Sequence, residues 1–420
     1  RASGVFFGWW IVAASAGIQM LQAGLLMQAY GAYVSVLTDA FGWSKTALSF
    51  GYSLQPVQSG LLGPVQGWMI DHWGPKRVMR AGMVMFGVGF LLFSQIDSLL
   101  TFYLCIVLMA LGSSLAGFMS IMTTLVQWFE RRRATAMSVS QTGQSAGGMI
   151  VPLVAISLTT FGWRETAFVS GIIVLVVGLP LTWFMRTSPE EHGLLPDGAS
   201  PDTVGGVDGV AAPSFASTYD FTAKEALRTR AFWMISFGHA TALLVVSAVM
   251  VHLVVSLEED KGFSLSGAAS IVAVMTLITA IGQVAGGILG DRFSKRMIAA
   301  LAMFGHSVGL LALAWGDSLV WVIFFSVLHG TAWGMRGPLM QAMRADYFGR
   351  RHFGTIMGFS SLIITWGMAG GPIIAGLMAD RFGNYEYGFT LLAVLAGLGS
   401  VFFVFATKPE PPAHALTSDL

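Results

Sequence analysis

The chain has 420 residues, 55% of them hydrophobic and 11% charged, with a mean hydropathy of +0.69. A water-soluble domain carries about 25% charged residues, so this composition predicts an integral membrane protein. A net charge of +1 excludes the broad basic field that nucleic-acid binding needs, and a single cysteine, Cys105, excludes an intramolecular disulfide and a cysteine-rich metal centre.

The chain opens at Arg1 without the pattern of a cleavable signal, and its first apolar segment is expected to stay in the membrane. Apolar stretches long enough to cross a bilayer run over 8–37, 46–70, 78–96, 98–127, 134–161 and 166–185, and resume over 231–257, 264–290, 297–316, 318–343, 353–379 and 387–407. This predicts twelve helices in two sets of six. If both termini are cytoplasmic, 18 basic residues fall on that side and four, Lys45, Arg164, Lys261 and Arg381, on the other; the remaining one is Arg336. That asymmetry is a positive-inside signal.

Between the two sets, residues 187–226 carry Pro189, Pro196, Pro201 and Pro213 among Gly, Ala and Asp, a composition that cannot bury a core. A flexible cytoplasmic linker is expected there. Thr222 and Glu225 have capping-box spacing, which predicts a short surface helix leading into the seventh segment. The expected division is a first bundle at 1–186, a linker at 187–228, a second bundle at 229–408 and a cytoplasmic tail at 409–420.

The two halves repeat each other. Gly67-Trp68-Met69-Ile70-Asp71-His72-Trp73-Gly74-Pro75-Lys76-Arg77 after the second segment is answered by Gly287-Ile288-Leu289-Gly290-Asp291-Arg292-Phe293-Ser294-Lys295-Arg296 after the eighth, with Asp71 and Asp291 standing 220 positions apart. Trp128-Phe129-Glu130-Arg131-Arg132 matches Tyr347-Phe348-Gly349-Arg350-Arg351 at an offset of 219, and Gly162-Trp163-Arg164-Glu165 matches Gly383-Asn384-Tyr385-Glu386 at 221. Three landmarks at nearly one offset predict an all-α membrane protein of twelve transmembrane helices in two pseudo-symmetric six-helix bundles, an architecture that forms its site near the midplane where repeats meet.

With these residues in view the chain resembles the major facilitator superfamily of transporters over essentially all twelve segments. The signature of that family between its second and third helices, glycine, aspartate, glycine and paired basic residues, is matched by Gly67, Asp71, Gly74, Lys76 and Arg77. The resemblance implies a cytoplasmic gate held by Asp71, Arg77, Asp291 and Arg292. Phe7-Gly8-Trp9-Trp10 and Trp128-Phe129-Glu130-Arg131-Arg132-Arg133-Ala134, followed by Gly143 and Gly147, resemble the monocarboxylate and oxalate/formate branch. Members of that branch often carry a substrate-binding arginine in the eighth helix; Ile271 to Gly290 here has none.

An arginine does stand in the tenth segment. Arg336 is the one formal charge in the middle of a long apolar segment, and a guanidinium at that depth costs about 2.5 to 3.5 kcal/mol on insertion scales, so it is expected to face a polar cavity and an anion. His329 and Trp333 share its helix face, four and three residues apart. Gln22 and Tyr30 in the first segment, Gln55 and Ser59 in the second, Gln141 and Gln144 in the fifth, and Thr279 and Gln283 in the eighth are further candidate substrate contacts, each of which could instead bond a neighbouring helix. No segment holds an internal Asp or Glu, so a proton carrier would have to be a histidine, His239, His306 or His329, with His329 first and then His239.

The function read from these residues is secondary active transport of a small organic anion, a mono- or dicarboxylate, by alternating access, with proton coupling or exchange. The alternatives are an exporter of amphipathic organic compounds or drugs, suggested by 23 Met and 12% aromatic residues, and a non-transporting membrane sensor. No phosphate loop, metal-ligand cluster or nucleophile constellation is present, so no enzyme activity, metal or other cofactor is expected. The expected setting is a monomer in the bacterial inner membrane with both termini cytoplasmic, partnered by its substrate and lipid, with a proton as partner if transport is coupled rather than exchange.

Overall fold

A computed structural model describes residues 5–198 and 219–412, and every regular element in them is helical. Residues 199–218, the greater part of the expected linker, and 413–420 of the expected tail lie outside the described residues.

Among the described residues nine helices are long and apolar enough to cross a membrane. They are α1 (Phe7–Phe41), α5 (Leu99–Trp128), α8 (Trp163–Leu181), α10 (Arg230–Glu259), α11 (Leu265–Arg292), α12 (Lys295–Trp315), α13 (Leu319–Phe348), α14 (Phe353–Phe382) and α15 (Glu386–Phe405). The other three predicted crossings differ for local reasons. The second is split at Leu62 into α2 (Lys45–Leu61) and α3 (Gly63–Trp73), where Pro64 enters the first turn of α3 and can donate no backbone hydrogen bond. The third, α4 (Pro75–Phe93), begins with Lys76, Arg77 and Arg80. The fifth is α6 (Arg133–Ala146) and α7 (Val151–Thr160), separated by a tight turn of 3-10 helix at Gly147–Met149. Taken end to end, each broken pair still exceeds the roughly 20 residues a crossing requires. The short α9 (Ala223–Arg228) starts with the expected capping box: the Glu225 backbone N–H donates to Thr222 Oγ1, and the Thr222 N–H donates to Glu225 Oε2 at 2.8 Å.

The chain divides into two compact units. The first comprises 1–131, 139–214 and 353–358; the second comprises 132–138, 215–352 and 359–420. Each therefore takes in the opening residues of one helix whose remainder belongs to the other.

In the first unit α4 packs on α5 and α8, and α2 packs on α5. Phe86, Phe90, Phe93, Phe102 and Met109 are fully buried there. In the second unit α11 lies against α13, α12 lies against both α13 and α15, and α10 packs on α15. Large apolar side chains point outward from both units, among them Leu104, Val176, Leu301, Leu377 and Trp366, as lipid-facing residues do.

The sequence repeat is also a repeat of backbone chemistry. Gly42 and Gly262, 220 positions apart, both adopt the left-handed conformation, with φ of 69° and 70°. Two residues later Ser44 and Ser264 cap α2 and α11, accepting from Ala47 N–H at 3.1 Å and Gly267 N–H at 3.2 Å. Gly67 and Gly287 occupy matching close contacts, because a side-chain carbon on Gly67 would overlap the Gly354 carbonyl, and one on Gly287 would overlap Ser138 Oγ.

Candidate functional site

Arg336 sits in the second unit, on α13, with about 1% of its surface exposed. Among the described residues its Nε and Nη1 atoms have no hydrogen-bond partner, and it forms no ion pair. A buried guanidinium is ordinarily matched by a carboxylate or by carbonyls, so these donors are available to an anionic oxygen. Pro338, within α13, has no N–H and leaves the Gly334 carbonyl, two residues before the charge, without its usual helical donor.

His329 is fully buried on the same helix, between Phe325 at 5.1 Å and Trp333 at 6.4 Å, measured between ring centroids. Its Nδ1 meets His306 Nδ1, on α12, at 3.0 Å. The field of Arg336 reaches both imidazoles, and also His239 and Arg344.

Arg344 is a second buried guanidinium on α13, again about 1% exposed. It donates to the Met340 carbonyl at 3.1 Å, Gln341 Oε1 at 3.2 Å, Ser360 Oγ at 2.7 Å and His239 Nδ1 at 3.2 Å. A guanidinium has only donors, so the His239 Nδ1 must accept. His239 is thereby held as the neutral Nε2–H tautomer while this bond lasts. Ser236 and Ser360 hydroxyls, 2.9 Å apart, extend the network between α10 and α14.

One turn or less beyond Arg344, Asp346 binds two cations. Arg133 Nη1 and Lys295 Nζ both pair with it, the lysine at 2.8 Å, and all three side chains are buried. The carboxylate nearest in sequence to the arginines is therefore occupied. Arg133, Lys295 and Arg344, which the sequence reading counts among the 18 basic residues of the cytoplasmic side, are buried within the protein. Continuing the helical stripe His329, Trp333, Arg336 by four and four more residues leads through Met340 to Arg344, and that spacing could have found it. The interior position of Asp346 carried no comparable signal.

In the first unit the predicted polar residues of α1 spend donors on neighbouring helices. Gln22 Nε2 donates to the Ser113 carbonyl at 3.1 Å, and Tyr30 Oη donates to the Leu48 carbonyl at 2.7 Å, on either side of a π-helical turn at Ala23–Met27. Ser59 Oγ bonds Ser114 Oγ at 3.2 Å, and Gln55 is half-buried. Gln141 is buried, whereas Gln144 is exposed and its carbonyl accepts from Gln28 at 2.8 Å. In the second unit Thr279 turns back to the Met275 carbonyl at 2.9 Å, and Gln283 is half-buried on the same helix. A pocket lined by Leu26, Tyr30, Tyr33, Phe90, Phe93 and Phe102 has room for roughly one water molecule, too little for an organic solute.

The two aspartates expected at the gate, Asp71 and Asp291, each accept hydrogen bonds from a helix start. Asp71 accepts from the backbone N–H groups of Gly354 at 2.9 Å and Thr355 at 2.7 Å, at the start of α14 and within the first unit. Asp291 accepts from Ala134 at 2.8 Å and Thr135 at 3.0 Å, at the start of α6 and within the second. Each carboxylate neutralises the partial positive charge of a helix N-terminus and satisfies two of its free donors. Arg77 and Arg292 are exposed and make no ion pair among the described residues.

The sequence profile of the Major Facilitator Superfamily matches residues 5–264 and 235–419. The chain belongs to the major facilitator superfamily. It is a multi-pass membrane protein of that transporter family, and the curated relatives agree with the resemblance to the monocarboxylate branch. Human monocarboxylate transporter 11 is 26% identical over 415 residues, 96% of this chain and 84% of that protein. A probable sulfoacetate transporter from Cupriavidus necator is 24% identical over 388 residues, 89% of this chain and 86% of its own length. Among solved structures, the human organic anion transporter MFSD10 superposes with a TM-score of 0.68 at 16% identity, covering 94% of this chain and 97% of that one. The proton:xylose symporter XylE gives 0.72 at 14% identity, with 96% of each chain covered. These two structures bear on the major facilitator fold alone.

Proposed function

We propose that this protein is a secondary active transporter of a small organic anion, a mono- or dicarboxylate, working by alternating access. The observation that carries the reading is Arg336: fully interior, with two unpartnered guanidinium nitrogens, and with Arg344 as a second buried cation on the same helix. Asp346, the nearest carboxylate in the sequence, is already shared by Arg133 and Lys295. An anion arriving at Arg336 supplies the missing countercharge, whereas a hydrophobic cation meets two positive charges.

The names of curated relatives fit an anionic substrate with some latitude in its head group: a monocarboxylate, a sulfoacetate, and a hexose phosphate for a probable transport protein of Chlamydia trachomatis. A planar guanidinium can grip any of the three with paired hydrogen bonds. Trp333 and His329 flank the arginine and would bound the organic part of the ligand. Binding must favour one arrangement of the protein over another to drive transport, and neutralising an otherwise uncompensated buried charge provides that preference.

The test is a thermal-unfolding screen of purified protein against pyruvate, oxalate, sulfoacetate and tetraphenylphosphonium. At least one acid should raise the midpoint, because a ligand bound only by the folded state stabilises it, and the cation should not. A rise with the cation and none with any acid would reverse the assignment.

A further inference from the structure

The turn before α6 and the turn before α14 carry the same backbone device. Glu130 and Arg131 stand 220 positions from Arg350 and Arg351, and in each pair the two successive N–H groups converge on a single carboxylate oxygen. Asp197 Oδ2 accepts from Glu130 at 2.9 Å and Arg131 at 2.7 Å, and Asp220 Oδ1 accepts from Arg350 at 2.7 Å and Arg351 at 3.2 Å. Successive N–H groups in a turn form a concavity that suits an anionic oxygen. The two aspartates are not repeat equivalents: Asp197 follows α8 and Asp220 precedes α9. Both ends of one connecting segment are therefore seated at equivalent turns.

Each seat has a second fastening. Trp128, 220 positions from Phe348, donates its Nε1–H to the Arg186 carbonyl at 2.9 Å, and its ring meets His192 at 6.4 Å. At the other turn the Phe348 carbonyl accepts from the Phe221 N–H at 2.9 Å, with the two rings edge to face at 5.9 Å. The backbone is specialised at both. Asp197, with φ of 60°, is the one non-glycine residue of positive φ among the described residues, a conformation that persists where its surroundings hold it. Gly349, with φ of 84°, lies so close to Asp220 that a side-chain carbon there would overlap the carboxylate.

Three residues beyond each seated pair, the helix start offers two more N–H groups. Ala134 and Thr135 donate to Asp291, and Gly354 and Thr355 to Asp71; each of these carboxylates uses both oxygens, one per N–H. N–H groups in the first turn of a helix have no partner within it, so the turn that leads into the helix sets where they point. A grip by two oxygens requires both donors to be aligned, whereas a seat on one oxygen does not.

We propose that Asp197 and Asp220 are positioning residues: they hold each turn in the shape that aligns the next two N–H groups for Asp291 or Asp71, and keep that shape when those aspartates let go. In the transport cycle a returning aspartate then meets preformed donors. The proposal concerns how the helix starts are held and stands apart from the anion reading.

The experiment is amide hydrogen exchange on full-length protein in lipid nanodiscs, resolved amide by amide over 130–135 and 350–355. Asp197→Ala should speed exchange about tenfold or more at Glu130 and Arg131 and also at Ala134 and Thr135, because loss of the seat opens both pairs. Asp291→Ala should speed Ala134 and Thr135 alone. Asp220→Ala and Asp71→Ala should give the same hierarchy at the second turn, so one variant that fails to fold leaves the question decidable. Asp197→Asn and Asp220→Asn, which keep the single oxygen each seat uses, should restore protection at all four amides. Effects of Asp197→Ala and Asp220→Ala confined to their own N–H pairs would reduce the aspartates to local fastenings and overturn the proposal. So would an opening of both pairs by Asp291→Ala or Asp71→Ala, or Asn variants that behave like Ala.

Discussion

The carboxylate of Asp71 receives the backbone N–H of Thr355 at 2.7 Å, although 284 positions of chain separate them. Asp291 does the same for Thr135 at 3.0 Å. Removing either carboxylate exposes a helix start that has no other acceptor for those donors. Asp71→Ala and Asp291→Ala should each lower stability by about 1–3 kcal/mol, the cost of leaving buried donors unsatisfied. The Asn variants, which keep an oxygen acceptor and lose the charge, should lose about 1 kcal/mol or less. Unfolding midpoints in detergent would check both, and the two sites should respond alike; a large effect at one and none at the other would contradict their equivalence.

Arg336→Gln and Arg336→Ala should abolish anion uptake into reconstituted vesicles while leaving the protein folded. Arg336→Lys should also be impaired, since an ammonium lacks the planar fork that holds two oxygens at once. Full uptake by a well-folded Arg336→Gln protein would remove the residue from the substrate site.

Asp346 is the shared counterion of two buried cations, so losing it harms both. Asp346→Asn should destabilise the protein by roughly 3–5 kcal/mol, as expected when one partner of a buried ionic cluster is removed. Replacing all three members by apolar residues, with Arg133→Met, Lys295→Met and Asp346→Leu combined, should recover most of that loss. Chemical denaturation of the two proteins side by side measures the difference; equal stability would mean that the cluster is solvated.

Gly67 and Gly287 leave no space for a side chain against the Gly354 carbonyl and Ser138 Oγ. Gly67→Ala and Gly287→Ala should each cost about 1–3 kcal/mol through overpacking. Alanine at Gly31, which meets nothing within 4 Å, is the control and should be close to neutral. Thermal midpoints of the three variants order the effects.

The fold was legible because a bilayer imposes its own periodicity. Long apolar stretches point to crossings, and the landmarks at offsets of 219 to 221 point to two repeats. Where crossings break, at Leu62 and at Gly147–Met149, the cause is local backbone chemistry at Pro64 and at paired glycines, which an average over 20 residues smooths away. Arg336 stood out as a lone charge in apolar surroundings. Arg133, Lys295 and Arg344 did not, because charges at helix ends look identical in sequence whether they meet water or an interior aspartate. The His306–His329 contact joins two helices, and no single-helix periodicity encodes it.

Each half of the sequence also contains a helix start whose aspartate lies in the other half. A half-length polypeptide would carry Asp71 with nothing to clasp, or the Gly354–Thr355 turn with nothing to clasp it. Two half-length polypeptides would meet each other's need reciprocally, as handshaking protomers do. Separately expressed halves of this transporter should accordingly be unstable alone and rescue one another when made in the same cell.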